Sequence, residues 1–325
     1  MPKPRKQLIS LELTAYYHCT SRCVRRAFLC GKDSATGKSF EHRRQWIEDR
    51  ILKQAEIFAI SVCSYAVLSD HYHVVLHINK AESLRWSKEE VCQRWHQLYK
   101  GTPLTQKFLN HEQLSDAEMK AVDATLEQWR LQLCSISWFM RALNEPIARW
   151  ANAEDNCTGK FWEARFHSQA LLDEKALAAC MAYVDLNPVR AKMANTPEDS
   201  DHTSIQIRVK ELKKSGGQPK ALMPFAGNSS ESTIEGMPFR LADYLSLVDW
   251  TGRIIREDKR GFISENCPPI LTRLSIDPDH WLLLSSRFES RFKSLVGCVS
   301  KLKQAAAKLG FLRTPGLSPC QALLN

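Results

Sequence analysis

An α+β fold is the class this sequence predicts, and three observations predict it. A β-rich apolar run at 71–78 follows a second strand-like run at 61–67. Between residues 39 and 60, Phe40, Trp46, Ile47, Ile51, Ala55 and Phe58 keep helical spacing, opposite Arg43, Arg44, Arg50 and Lys53. The stretch at 16–24 is rich in β-formers and opens the chain with a strand. The order is therefore strand, helix, strand, strand, with Ser69-Asp70 either a turn between the last two or a bulge in one long strand.

Further along, Ser87-x-x-Glu90 and Ser115-x-x-Glu118 are capping-box patterns. They predict helices over 88–99 and 116–133, within a helical insertion at about 80–135. An amphipathic helix follows over 137–153, with Phe139, Leu143, Ile147 and Trp150 on one stripe and Pro146 inside it. Asp173 is a good N-cap for the alanine-rich helix that runs through Tyr183. Pro188 disfavours helical geometry at Asn187, so that helix ends or kinks there. Residues 210–236 hold Lys213-Lys214-Ser215-Gly216-Gly217 and Gly227-Asn228-Ser229-Ser230 and read as a linker. Helical patterns at 239–256 and 277–310 predict an α-helical accessory domain over 237–325, after a catalytic domain over 1–209.

Hydrophobic content of 44% and charged content of 25% are those of a soluble globular protein. The net charge is +9, and the pI is about 9.0. Residues 1–50 carry eleven Lys/Arg against five Asp/Glu, which favours a polyanionic partner, nucleic acid before membrane. The eleven cysteines form no CxxC pair, so reduced thiols in a cytoplasmic protein are expected. No apolar run approaches membrane-spanning length.

His71 and His73 flank Tyr72, so on a strand both imidazoles point to one face. They would lie about 7 Å apart along the backbone and can converge on one divalent ion. His77 shares the face but lies roughly 13 Å beyond His73. The second informative run is Tyr183-Val184-Asp185-Leu186-Asn187-Pro188-Val189-Arg190-Ala191. Together these two segments resemble the HUH single-strand endonucleases, and within them the REP-associated tyrosine transposases. The stretch Phe161-Trp162-Glu163-Ala164-Arg165-Phe166-His167-Ser168 is similar to the run that precedes the tyrosine helix in that family. His18 and Arg22 match its first-strand pattern, while Asp70 stands where the family often has asparagine. The resemblance covers roughly residues 12–79 and 136–206.

This resemblance implies a ferredoxin-like antiparallel sheet in the order βαββαβ, with helices on one face. It implies Tyr183 as nucleophile, and His71 and His73 as ligands of Mg2+ or Mn2+, with Asn187 as the third ligand through its amide oxygen. Arg22, Arg25, Arg26, Arg165 and Arg190 are the expected DNA contacts. The implied activity is transposase chemistry: cleavage and rejoining of single-stranded DNA at hairpin-bearing ends, through a covalent 5′-phosphotyrosine, by a homodimer. Two other readings are a replication initiator or relaxase, and a DNA-binding protein that has lost catalysis.

Overall fold

The structure, a computed structural model, describes residues 9–24, 29–33, 37–227, 236–256 and 268–324. The chain opens with β1 (Tyr16–Arg22), α1 (His42–Ile57), β2 (Ile60–Val67) and β3 (His71–Ile78). Four helices follow: α2 (Lys80–Arg85), α3 (Lys88–His96), α4 (Pro103–Leu109) and α5 (Asp116–Leu133). Next come α6 (Ile136–Glu154), β4 (His167–Leu171), α7 (Glu174–Asp185), α8 (Asn187–Arg190) and α9 (Ser204–Ser215). The C-terminal segment holds α10 (Leu241–Arg256), α11 (Pro269–Arg273), α12 (Pro278–Arg291), β5 (Leu295–Val296), α13 (Val299–Lys308) and α14 (Leu317–Leu323).

The strands form one sheet in the order β2-β3-β1-β4-β5. Every pairing is antiparallel except β4 with β5, which is parallel. The α+β expectation holds, and β1-α1-β2-β3-α6-β4 is the βαββαβ order, with α2–α5 intercalated before its second helix. Ser69-Asp70 is a turn between β2 and β3. The caps expected at Ser87, Ser115 and Asp173 are made, each side-chain oxygen accepting from a backbone N–H of the first turn.

Helices cover both faces of the sheet, not one. Burial runs along nearly every position of β1, β2 and β3, and strands buried on both sides need cover on both. On the first face Tyr65 Oη donates to Glu48 of α1 at 2.6 Å, and Tyr72 Oη to Asn144 of α6 at 2.6 Å. Pro146 has no N–H for the Ala142 carbonyl one turn back in α6, and Gln54 of α1 donates to it instead at 3.2 Å.

The second face belongs to α7 and α12. Small residues on α7 (Ala176, Ala178, Ala179, Cys180 and Ala182) are all buried and let it pack closely between the sheet and α12. Asp185, at its end, accepts from Ser64 and Ser204 and from Tyr244 of α10. The C-terminal segment thus returns to the sheet: β5 extends it, and α12 packs on the tyrosine helix. Within α12, Arg287 departs from helical geometry (φ −130°, ψ 25°), just before Phe288 and Glu289.

Candidate functional site

Strand register assembles the site. Thr20 of β1 stands opposite His73 of β3, Arg22 opposite His71, and His18 opposite Gln169 of β4. Cross-strand partners share a face, so His18, Thr20, His71, His73 and Gln169 converge beneath α7 and α12.

A hydrogen-bonded chain fixes the proton positions. Gln169 Nε2 donates to the carbonyls of Phe292 and Lys293 at 3.0 and 2.9 Å, which turns Oε1 toward His18 Nδ1 at 2.8 Å. An amide oxygen only accepts, so His18 carries its proton on Nδ1 and presents a lone pair at Nε2. His73 Nδ1 lies 3.0 Å from that atom and donates to it. The second lone pair, on His73 Nε2, is left over. His73 is wholly buried, and Nε2 has no hydrogen-bond partner. Such an orphan costs about 1–3 kcal/mol. Burial, then the nearby His18 and His71, pushes the His73 pKa well below its usual value; burial also lowers that of His18.

His71 is oriented from its other side. Its Nδ1 lies 2.5 Å from Asp70 Oδ1, while Asp70 Oδ2 accepts from Arg22 at 2.8 Å. With Nδ1 donating to a carboxylate, the His71 Nε2 lone pair is the one left available. The His71 and His73 rings lie 4.8 Å apart. Glu289 of α12 joins them: one ligand atom from each of the three lies within 4.8 Å of the others. Two imidazole lone pairs and a carboxylate form a cluster able to hold a divalent ion, and the orphaned Nε2 is the atom that such an ion would satisfy.

Tyr183 stands over this cluster, its ring 5.5 Å from that of His73. Its Oη donates to Glu289 Oε2 at 3.4 Å. Arg190 folds back from α8: the guanidinium sits 4.2 Å from the Tyr183 ring centre and donates to the carbonyls of Tyr183 and Ser285, both at 2.8 Å. The Phe288 ring lies 6.0 Å from that of Tyr183, which is only 9% exposed. Burial pushes the phenol pKa up to about 12; Arg190 opposes that rise and Glu289 adds to it.

The structure therefore brings His71, His73, Tyr183 and Arg190 together, with Arg22 linked through Asp70. Asn187 opens α8 one turn past Tyr183; it is buried, and its Nδ2 has no hydrogen-bond partner. Arg165 is exposed and lies apart, beside a cavity of about 380 Å³ shared with Trp162, Phe166 and Asn144. Arg25 and Arg26 lie outside the described residues. Sequence reasoning missed Glu289, Gln169 and the part played by His18. A glutamine inside the run Ser168-Gln169-Ala170-Leu171, on a buried strand, was a signal for the second of these.

No family model matches the chain, and no curated protein matches it. Among solved structures, one described as the structure of the REP-associated tyrosine transposase bound to a REP hairpin is similar at 13% identity. The match covers 72% of this chain and 98% of that one, with a TM-score of 0.38. A TM-score that low carries neither a site nor a ligand across. Among the described residues no helix is long and apolar enough to cross a membrane.

Proposed function

We propose that this chain is a transposase of the tyrosine HUH type, cleaving and rejoining single-stranded DNA at hairpin-bearing ends. The observation that carries the reading is the placement of the Tyr183 ring 5.5 Å from His73, whose buried Nε2 has no partner. The Tyr-to-Ala run at 183–191 and the basic amino-terminal region support DNA as the substrate.

In this reading His71 and His73 hold Mg2+ or Mn2+, and Asn187 is a further donor from α8. An ion held there would supply Lewis-acid polarisation of the scissile phosphate. Tyr183 Oη gives up its proton to solvent as it attacks phosphorus, the P–O3′ bond breaks, and the 3′ oxygen leaves and takes a proton from water. The product is a 5′-phosphotyrosine and a free 3′-hydroxyl. The phosphodiester energy is kept in the new bond, so a later 3′-hydroxyl can displace the tyrosine without ATP. A phenol with a pKa near 12 is almost wholly protonated at neutral pH. In the resting chain Glu289 accepts the hydrogen bond from that phenol. Arg190 positions the ring by stacking on it and by tying its backbone carbonyl. Arg22, Arg25, Arg26 and Arg165 are the proposed backbone contacts. Single strands suit the chemistry, because the phosphate must be exposed and its flanking bases unstacked. We carry the homodimer and the cytoplasmic setting as part of the same proposal.

One observation favours a second reading, DNA binding without cleavage: Tyr183 is only 9% exposed, with the Phe288 ring 6.0 Å away. Incubating wild type, Tyr183→Phe and His71→Ala with end-labelled hairpin DNA, with Mn2+ or EDTA, separates the two. The transposase reading expects a denaturation-resistant protein–DNA band with wild type and Mn2+ alone. Hairpin binding in EDTA with no band in Mn2+ establishes the second reading.

A further inference from the structure

We infer that the C-terminal segment builds the metal centre: Glu289 is its carboxylate ligand, and the Phe292 and Lys293 carbonyls, acting through Gln169 and His18, present the His73 lone pair to it. This rests on the metal-dependent reading above and deepens it.

Charge is the first argument. Glu289 lies beside two imidazoles and a phenol, and among the described residues it makes no ion pair. A carboxylate facing two nitrogen lone pairs gains nothing from them, and only a cation satisfies all three at once. A divalent ion supplies the missing positive charge and the partner that His73 Nε2 lacks. The break at Arg287 is the local feature that precedes Glu289 on α12.

Tautomer is the second argument. Among the described residues, the Phe292 and Lys293 carbonyls are what dictates which end of the Gln169 amide faces His18. A flipped amide would offer N–H to His18 Nδ1, move the His18 proton to Nε2 and turn His73 Nδ1 into an acceptor. The His73 proton would then sit on Nε2, where the ion is to bind. The segment is held in register by the β4–β5 pairing and by Arg190, which donates to the Ser285 carbonyl. Gln169 and His18 are thus positioning residues, and the motif arginine docks the segment that completes the motif histidines.

The test is Mn2+ affinity of the full chain, by titration calorimetry and by the free-Mn2+ electron paramagnetic resonance signal. It compares wild type, Glu289→Gln, Gln169→Leu and His73→Ala, with circular dichroism melts to confirm folding. Glu289→Gln keeps volume and polarity but removes the anion, and it is expected to weaken Mn2+ by at least about tenfold. Gln169→Leu is expected to weaken it by about 10–100-fold, as loss of a ligand-orienting contact does. It is also expected to shift the His73 ring 15N resonances toward the opposite tautomer in metal-free protein. Should Glu289→Gln and Gln169→Leu bind within twofold of wild type while His73→Ala loses Mn2+, the segment only covers the site and the inference is overturned. Should wild type itself bind no Mn2+, the metal-dependent reading fails first.

Discussion

The two faces of the sheet come from the same strands and differ in what they leave unsatisfied. Against α1 and α6, β3 sends Tyr72, Val74 and Leu76, and the Tyr72 hydroxyl finds Asn144. Against α7 and α12 it sends His71, His73 and Val75, and the wholly buried His73 keeps one nitrogen without a partner. The first face is close-packed with its tyrosines hydrogen-bonded. The second holds a run of polar groups whose order depends on Gln169 at one end and Asp70 at the other. Alternation along one strand thus separates stability from chemistry by a single peptide unit. The orphaned nitrogen of His73 is stability given up on the second face, which is where a ligand is expected.

The contrast breaks most visibly at Tyr183. If the second face is catalytic, Tyr183→Phe lowers protein–DNA adduct formation by at least about a thousandfold, as loss of a nucleophile does. Hairpin binding, followed by fluorescence anisotropy, stays within a few-fold of wild type.

A smaller effect separates the faces by pH. Burial lowers the folded-state pKa of His73 and of His18, while the unfolded chain titrates near 6.5. Below that value the unfolded state binds more protons, so stability is full above about pH 6.5 and falls as pH drops toward the folded pKa. Each histidine contributes up to about 1.4 kcal/mol per pH unit in that window. Urea melts of metal-free protein at pH 7.5, 6.0 and 5.0 are expected to lose stability on that slope. His73→Leu is expected to flatten it, and a wild-type profile flat from 7.5 to 5.0 would contradict the burial account.

The smallest expected effect lies on the first face. Tyr72→Phe removes one buried hydrogen bond, costs about 0.5–1.5 kcal/mol in a urea melt, and leaves Mn2+ affinity and adduct yield unchanged. A large loss of metal affinity in Tyr72→Phe would mean that the two faces are not independent.

What was legible in the sequence is local. The period of two at 71–78 told that His71 and His73 share a face, and the Asp173 cap and Pro188 marked both ends of the tyrosine helix. The capping boxes located α3 and α5. What was not legible is what long-range packing supplies. Glu289 sits in a helical pattern like any solvated acid, and only the return of α12 to the sheet brings it to His71 and His73. The 277–310 stretch read as helical because its apolar spacing is helical; the structure divides it into α12, β5 and α13, since β4 offers an open edge for Leu295 and Val296. Arg190 was legible as a motif residue, but its side chain is spent on the Tyr183 ring and two carbonyls, a geometry that no spacing encodes.

The most direct measurement is to locate the covalent bond. Wild-type protein is incubated with hairpin-bearing single-stranded DNA and Mn2+, trimmed with nuclease, digested with trypsin and mapped by mass spectrometry. The tryptic peptide spanning 176–190 contains Tyr183 as its one tyrosine. The account predicts a nucleotide remnant on that peptide, absent in EDTA and in Tyr183→Phe. A remnant on any other peptide, or cleavage that survives Tyr183→Phe, would contradict it.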